Sequence, residues 1–159
     1  MHSRQNEGIG VVAKVFIFIF CIVVLFTLVI WATTLKSTPT LGVSNVSLNP
    51  HEISVNGSAT LTFTIQNNDA ANQHSANAVF NTTSAVTFYQ NGLPLFRNSD
   101  EFQYLPITLQ SSEQSTYPLK VTATLMGGAS TSTYTIRIEF HNENSTIFDT
   151  ETVTLKVDQ

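Results

Sequence analysis

A mainly β fold, a two-layer antiparallel β-sandwich of about seven strands behind one N-terminal membrane-spanning helix, is what this 159-residue sequence predicts. Three observations predict it. Val15 to Ala32 is an apolar run without charge, Pro or Gly. After residue 41 the chain repeatedly alternates apolar and polar side chains between turn-forming dipeptides, the period of strands with one buried face. No stretch of that region shows the 3.6-residue periodicity of an amphipathic soluble helix.

The apolar run comes first. Its 18 residues form a helix of roughly 27 Å at ~1.5 Å per residue, close to the ~30 Å hydrocarbon core of a bilayer. A cleaved signal peptide would carry a shorter apolar region and a small-residue cleavage site. Here the run leads into Trp31-Ala32-Thr33-Thr34-Leu35-Lys36, so a retained signal anchor is expected. The predicted organisation is a cytoplasmic tail at 1–14, a transmembrane helix at 15–35 contacting lipid through 15–32, a linker at 36–41 and an extracytoplasmic sandwich at 42–159. Arg4, Lys14 and the α-amino group lie on the N-terminal side against Glu7, which places the N-terminus in the cytoplasm and makes the protein single-pass. As membrane-anchoring residues, Lys14 snorkels to the inner headgroups and Trp31 sits in the outer interface. Cys21 reads as a small apolar filler. The helix has neither a small-xxx-small seam nor a charge, leaving Phe16, Phe20 and the stretch Phe26 to Trp31 to pack against a larger membrane complex.

Pro39 disfavours helix at the residue before it and opens an extended linker. Strands are expected from Val43 to Leu48, before the turn Asn49-Pro50-His51-Glu52, and from Ala59 to Gln66, where Leu61, Phe63 and Ile65 point one way and Thr60, Thr62 and Thr64 the other. Asn67-Asn68-Asp69 closes that strand. A polar loop to Asn77 precedes short strands at Ala78 to Asn81 and Ala85 to Gln90, and Asn91-Gly92 is a hairpin turn signal. Phe102 to Leu109 contains Pro106 and so reads as an edge or crossing strand. Tyr117 to Met126 turns Leu119, Val121, Ala123 and Leu125 inward, and Gly127-Gly128 makes the next turn. Thr133 to Phe140 aligns Tyr134, Ile136, Ile138 and Phe140; Thr146 to Val157 aligns Val153, Leu155 and Val157. Tyr134 is placed to make a tyrosine-corner hydrogen bond.

The segment VSLNPHEISVNGSATLTFTIQNND, with Pro50, Gly57, Leu61, Phe63, Ile65 and Asn67 at its key places, resembles the opening of prokaryotic Ig-like surface domains of the CARDB type. That resemblance covers the first quarter of the domain and implies an Ig-like Greek-key sandwich rather than an activity. The layout of short tail, single helix and one Ig-like outer domain is also similar to that of archaellum stator proteins of archaea, which grip the S-layer. The tail ending at Lys14 is longer than that family's, and the likeness is one of layout alone.

Charge divides with the layout. Residues 1–36 carry Arg4, Lys14 and Lys36 against Glu7, a net +2; residues 37–159 carry four basic and ten acidic side chains, a net −6, and together these give the −4 of the whole chain. An acidic domain without a basic patch is unsuited to nucleic acid or anionic lipid. Cysteine is absent after Cys21, so packing alone must stabilise the domain, which a chain of this size can supply. Asn45, Asn56, Asn81 and Asn144 each begin an N-x-[ST] sequon and are candidate glycosylation sites.

No catalytic, cofactor or metal residues are expected. His51, His74 and His141, with Glu52, Asp69 and Glu143 near them in sequence, are the metal candidates, but they lack close ligand pairs and read as loop residues. A blue-copper site would need a thiolate that the domain lacks. Asp100-Glu101, and Glu139 with Glu143, lack a repeated acidic spacing for Ca²⁺. Nucleophile-elbow and phosphate-cradling glycine motifs are missing. What remains is aromatic: Phe88, Tyr89, Phe96, Phe102 and Tyr104 surround the Asn91-Gly92 turn, with Leu95 in the segment Leu93 to Phe96. Alternation puts Phe88 and Tyr89 on opposite faces, so this cluster is either a loop folded over the core or an apolar patch that docks a partner. The expected function is a non-enzymatic, membrane-anchored interaction or structural subunit of a cell-envelope or membrane assembly, with protein partners. A stator gripping the S-layer is the alternative, and a metal-binding or enzymatic accessory domain the third class.

Overall fold

The computed structural model describes residues 15–16, 18–24, 39–98 and 102–159. The chain divides into two units, 1–38 and 39–159. In the first, the described residues are helical, and Val15, Phe16, Phe18, Ile19 and Phe20 are exposed. Among the described residues no helix is long and apolar enough to cross a membrane. The remainder of the predicted span, with Trp31, and the tail with Lys14 lie outside the described residues.

The second unit is a two-sheet sandwich. Its strands are β1 (Leu41–Asn49), β2 (Glu52–Ser54), β3 (Ala59–Asn67), β4 (His74–Asn81), β5 (Val86–Gln90), β6 (Leu93–Pro94), β7 (Phe96–Arg97), β8 (Phe102–Leu109), β9 (Gln114–Ala123), β10 (Thr131–Asn142) and β11 (Ile147–Asp158). One sheet runs β1-β3-β9-β5-β6 and the other β2-β11-β10-β4-β8-β7. Taken as A to G, the strands β1, β3, β4, β5, β9, β10 and β11 give the ABED and GFC sheets of an Ig constant-type domain. β8 is an additional long strand beside β4. The expected antiparallel pairing holds except for β2, which runs parallel to the end of β11 through Lys156↔Glu52, Val157↔Ile53 and Asp158↔Ser54.

The core follows the alternation. Leu61, Phe63 and Ile65 of β3, Leu119 and Val121 of β9, Ile136, Ile138 and Phe140 of β10, and Leu155 and Val157 of β11 are wholly buried. Phe63 is the centre of an aromatic group, with ring centroids 6.3 Å from Phe80, 5.5 Å from Tyr117 and 5.2 Å from Phe140. The Tyr134 hydroxyl donates to the Thr124 carbonyl in the β9–β10 connection. Thr64, expected on the solvent side, is buried and shares a 2.9 Å hydroxyl hydrogen bond with Thr116 on the neighbouring strand.

The departures from simple alternation are local. Leu41 and Leu48 are both buried although seven residues apart, a separation that should put them on opposite faces. A bulge reconciles them: Ser44 pairs with Thr64 and Ser47 with Thr62, so β1 holds one more residue than its partner, with Asn45 at φ +54°. β1 therefore begins inside the predicted linker. β4 and β9 begin earlier than expected, at His74 and Gln114, because their first residues are polar and give no apolar signal.

The free edges are interrupted. β6 and β7 are two residues long, and β6 contains Pro94. β7 pairs with β8 only at Phe96↔Tyr104 and Arg97↔Gln103, so Pro106 lies in the half of β8 that has only β4 beside it. Pro118 lies in the part of β9 flanked by β3 alone. β11 before Lys156 has only β10 beside it. There the half-buried Asp149 and the exposed Glu151 are paired with Phe140 and Ile138, so acidic groups line an edge strand.

Candidate functional site

The side of the sandwich closed by β5 to β8 carries the aromatic candidates. Asn91 and Gly92 both take positive φ, +52° and +81°, the conformation of a two-residue hairpin turn that only Asn, Asp and Gly adopt readily. The hairpin pairs Tyr89 with Pro94 and Gln90 with Leu93. The chain then crosses to the second sheet, where Phe96 pairs with Tyr104.

This geometry sorts the candidates. Phe88 is wholly buried and stacked on Phe80 at 4.6 Å, so it is a core residue rather than a docking residue. Tyr89 is half-buried in the first sheet, opposite Lys120 and Pro94. Leu95 is half-buried against the core, and its N–H donates to the Phe88 carbonyl. Phe96 is 71% exposed, and Leu93, in the segment Leu93 to Phe96 expected to cover the core, is 72% exposed. Phe102 and Tyr104 alternate along β8 with the buried Gln103 and Leu105 and are half-buried on the opposite, outer face. On that face Glu139, Val79, Tyr104 and Phe96 are consecutive partners across β10, β4, β8 and β7. Val79 is 6% exposed although it points away from the main core. Glu139 is held by Arg137 at 3.0 Å and His141 at 3.1 Å. The result is an apolar strip of Phe96, Phe102 and Tyr104 on the face that also carries the polar strip of β10, with the exposed Leu93 on β6 of the other sheet.

Gln103 supports this side from within. It is 1% exposed. Its Oε1 accepts the Phe88 N–H at 3.0 Å, and its Nε2 donates to the Val86 carbonyl at 2.9 Å. Its side-chain amide thus does for the upper half of β5 what a neighbouring strand would do. Arg97 donates to the same Val86 carbonyl at 2.9 Å. A polar residue in an alternating run gave no sign of this from sequence.

The end of the domain where the chain enters at Pro39 holds the second polar cluster. Asn67, expected as the first residue of a loop, is wholly buried at the end of β3. Its Nδ2 donates to the carbonyls of Asn72 and Gln110, both at 2.8 Å, and its Oδ1 accepts the Asp69 N–H at 2.9 Å. Asp69 accepts in turn from Asn72 Nδ2 at 3.0 Å, lies 3.0 Å from His74 Nε2 and accepts from the Ala71 N–H at 2.8 Å. These contacts, the Asn72 amide foremost, hold its carboxyl well below the usual carboxylate range. His74 Nδ1 lies 3.7 Å from Glu143.

The metal candidates are thus divided. His74, Asp69 and Glu143 come together, His141 bonds Glu139, and His51 lies at the opposite end of β1, by a cleft of about 650 Å³ between β1 and β11 that Val46, Leu48, Glu52 and Lys156 also line. In that cleft Lys156 is 2.9 Å from Glu52 and 2.8 Å from Asp158; these bonds, that to Asp158 foremost, raise its pKa. Among the described residues no group of three or more His, Cys, Asp or Glu is placed to hold a metal ion. Asp100 and Glu101 lie outside the described residues.

The four sequons differ in setting. Asn45 is in the β1 bulge, Asn56 in the turn after β2 at φ +68°, and Asn144 in the β10–β11 turn; all three are exposed. Asn81 is half-buried at the end of β4 between Arg137 and Phe102.

Neither a family model nor a curated protein matches the sequence. Solved structures match in shape at low identity. The Pseudomonas fluorescens alkylpurine DNA glycosylase AlkC, bound to DNA containing an abasic site analogue, is 7% identical with a TM-score of 0.49; the match covers 77% of this chain and 32% of that one, so the chain spans about a third of its length. The CARDB domain of a Pyrococcus furiosus protein, in complex with di-metal ions, is 17% identical with a TM-score of 0.49, over 78% of this chain and 97% of that one. The sporulation control protein Spo0M of Bacillus subtilis is 9% identical with a TM-score of 0.46, over 77% and 51%. None of these likenesses bears on what this chain binds.

Proposed function

We propose that the protein is a non-enzymatic, single-pass subunit of a cell-envelope or membrane protein assembly, anchored in the bilayer through residues 15–32 with its N-terminus in the cytoplasm. Its extracytoplasmic Ig-like domain docks a protein partner through the β6–β8 side. One observation carries this reading: Phe96 is more than two-thirds exposed opposite Tyr104 and on the face that carries Phe102, while the outer face of β10 carries Thr133, Thr135, Arg137 and Glu139. Large apolar side chains gathered at one place, next to polar ones, are the composition of the centre of an interface. The acidic domain and the uncharged helix support a protein partner over nucleic acid.

Copurification of the full chain in mild detergent tests the reading. The wild type should retain a stoichiometric partner. Phe96→Ser should lose it by roughly thirtyfold in affinity, the ~2 kcal/mol of an aromatic hot spot, with an unchanged melting temperature. Equal retention by the variant, or loss of the partner only alongside loss of the fold, overturns docking at this side. Recovery of S-layer or filament subunits as that partner would assign the stator role.

A further inference from the structure

We propose that Asn45, Asn56 and Asn144 are acceptors for N-linked oligosaccharide on the folded domain and that Asn81 is closed to it. Recognition of a sequon requires an enzyme to engage the Asn amide and the hydroxyl two residues later together, on a backbone free to fit its groove. Turns and bulges offer such a backbone; a strand hydrogen-bonded on both sides does not. Asn45 and Ser47 flank the bulge of β1, an edge strand, and both are exposed. Asn56 stands at φ +68° in a turn closed by the Gly57 N–H on the Ser54 carbonyl at 2.8 Å, with Ser58 exposed. Asn144 and Thr146 are exposed in the tight connection of β10 to β11, where the Ser145 N–H bonds the Asn142 carbonyl at 2.9 Å. Asn81 has no such freedom. It is half-buried and paired with Arg137 on one side and Phe102 on the other, so although Thr83 two residues later is exposed, the Asn81 backbone is held in the sheet and Thr82 between them is 6% exposed.

The three open positions also lie away from the aromatic side. β1 and β2 are the edges of the two sheets on one side of the sandwich, and β6 and β7 the edges on the other. Asn45 and Asn56 lie in β1 and just after β2, and Asn144 lies in the β10–β11 turn at the end of the domain by Pro39 and His74. Asn81 is on β4, next to the aromatic β8, so it alone would place sugar on the apolar strip. In the cell this pattern rests on the extracytoplasmic placement proposed above, and it leaves the docking side bare.

The test uses the purified full chain in detergent with a single-subunit oligosaccharyltransferase and its lipid-linked oligosaccharide, and peptide mapping by mass spectrometry. In the folded chain the three sites should be modified at least tenfold faster than Asn81, because opening a strand flanked on both sides costs well over the ~1.4 kcal/mol that a factor of ten represents. In the urea-unfolded chain, diluted into the same reaction, Asn81 should be modified as fast as the others. Modification of Asn81 at the common rate in the folded chain overturns the proposal, as does refractoriness of any of the other three. External protease on intact cells is read separately: a domain the protease cannot reach refutes the membrane topology while leaving the measured acceptor pattern in place.

Discussion

Replacing Gln103 by Met removes the amide that completes the upper half of β5 while keeping an unbranched side chain of similar length. The two bonds lost are those to the Phe88 N–H at 3.0 Å and the Val86 carbonyl at 2.9 Å. Their consequences differ. The Val86 carbonyl keeps its 2.9 Å bond from Arg97, so its loss is small. The Phe88 N–H belongs to a wholly buried residue, and a buried donor left unpaired costs about 1–3 kcal/mol. The net expectation is about 2 kcal/mol, which for a domain of this size lowers Tm by roughly 6–12 °C. Thermal unfolding of the full chain in mild detergent, followed by near-ultraviolet circular dichroism, measures it. Gln103→Glu separates the two bonds, since it keeps the acceptor for Phe88 and sets a carboxylate against the Val86 carbonyl; it should fall at least as far as Gln103→Met at neutral pH and recover on acidification. A Gln103→Met domain that melts within a degree or two of wild type would refute the assignment of this amide as the missing neighbour of β5.

The cluster at the other end gives two further expectations. Asn67→Ala should destabilise the domain by about 2–4 kcal/mol in urea titrations, since it leaves the Asp69 N–H and the carbonyls of Asn72 and Gln110 without their partner. Asp69 has a folded pKa well below its ordinary 3.8, so it contributes stability that is complete above that value and declines as pH falls through 3.8 toward the lower folded value. Asp69→Asn should therefore flatten the acid side of a Tm-against-pH curve below about pH 4 and leave its slope between pH 6 and 8 unchanged; an identical acid limb in both proteins would sink this assignment.

How much was legible in the residues depended on whether a side chain's partner was near in sequence or far. Strands such as β3 and β10 could be read because each inward residue is apolar, and the Asn91-Gly92 and Gly127-Gly128 turns because positive φ selects those residues. β2 was read as part of a turn: three residues, Glu52–Ser54, have no periodicity of their own and are ordered only by the parallel edge of β11, about 100 residues later. Polarity ordinarily reports exposure, so nothing local marks Gln103 as buried, and Asn67 reads as the start of a loop. Their burial depends on backbone groups brought in from other strands, which no local pattern encodes. The aromatic cluster was half legible. Alternation separated Phe88 from Tyr89, but the exposure of Leu93 and Phe96 follows from the chain's crossing between sheets, and the register of two-residue strands cannot be read from sequence.

The interrupted edges have a bearing on how many copies can live side by side. Asn45 in its bulge, the prolines at 94, 106 and 118, and the acidic Asp149 and Glu151 each spoil one of the open ladders on which a neighbouring chain could grow. Proteins held in a layer meet one another at high local concentration and with restricted orientation, conditions that favour runaway strand-on-strand growth. If the membrane placement proposed above holds, a sandwich spoiled at its rims would tolerate that density, and a partner would be chosen by side-chain fit rather than by backbone templating.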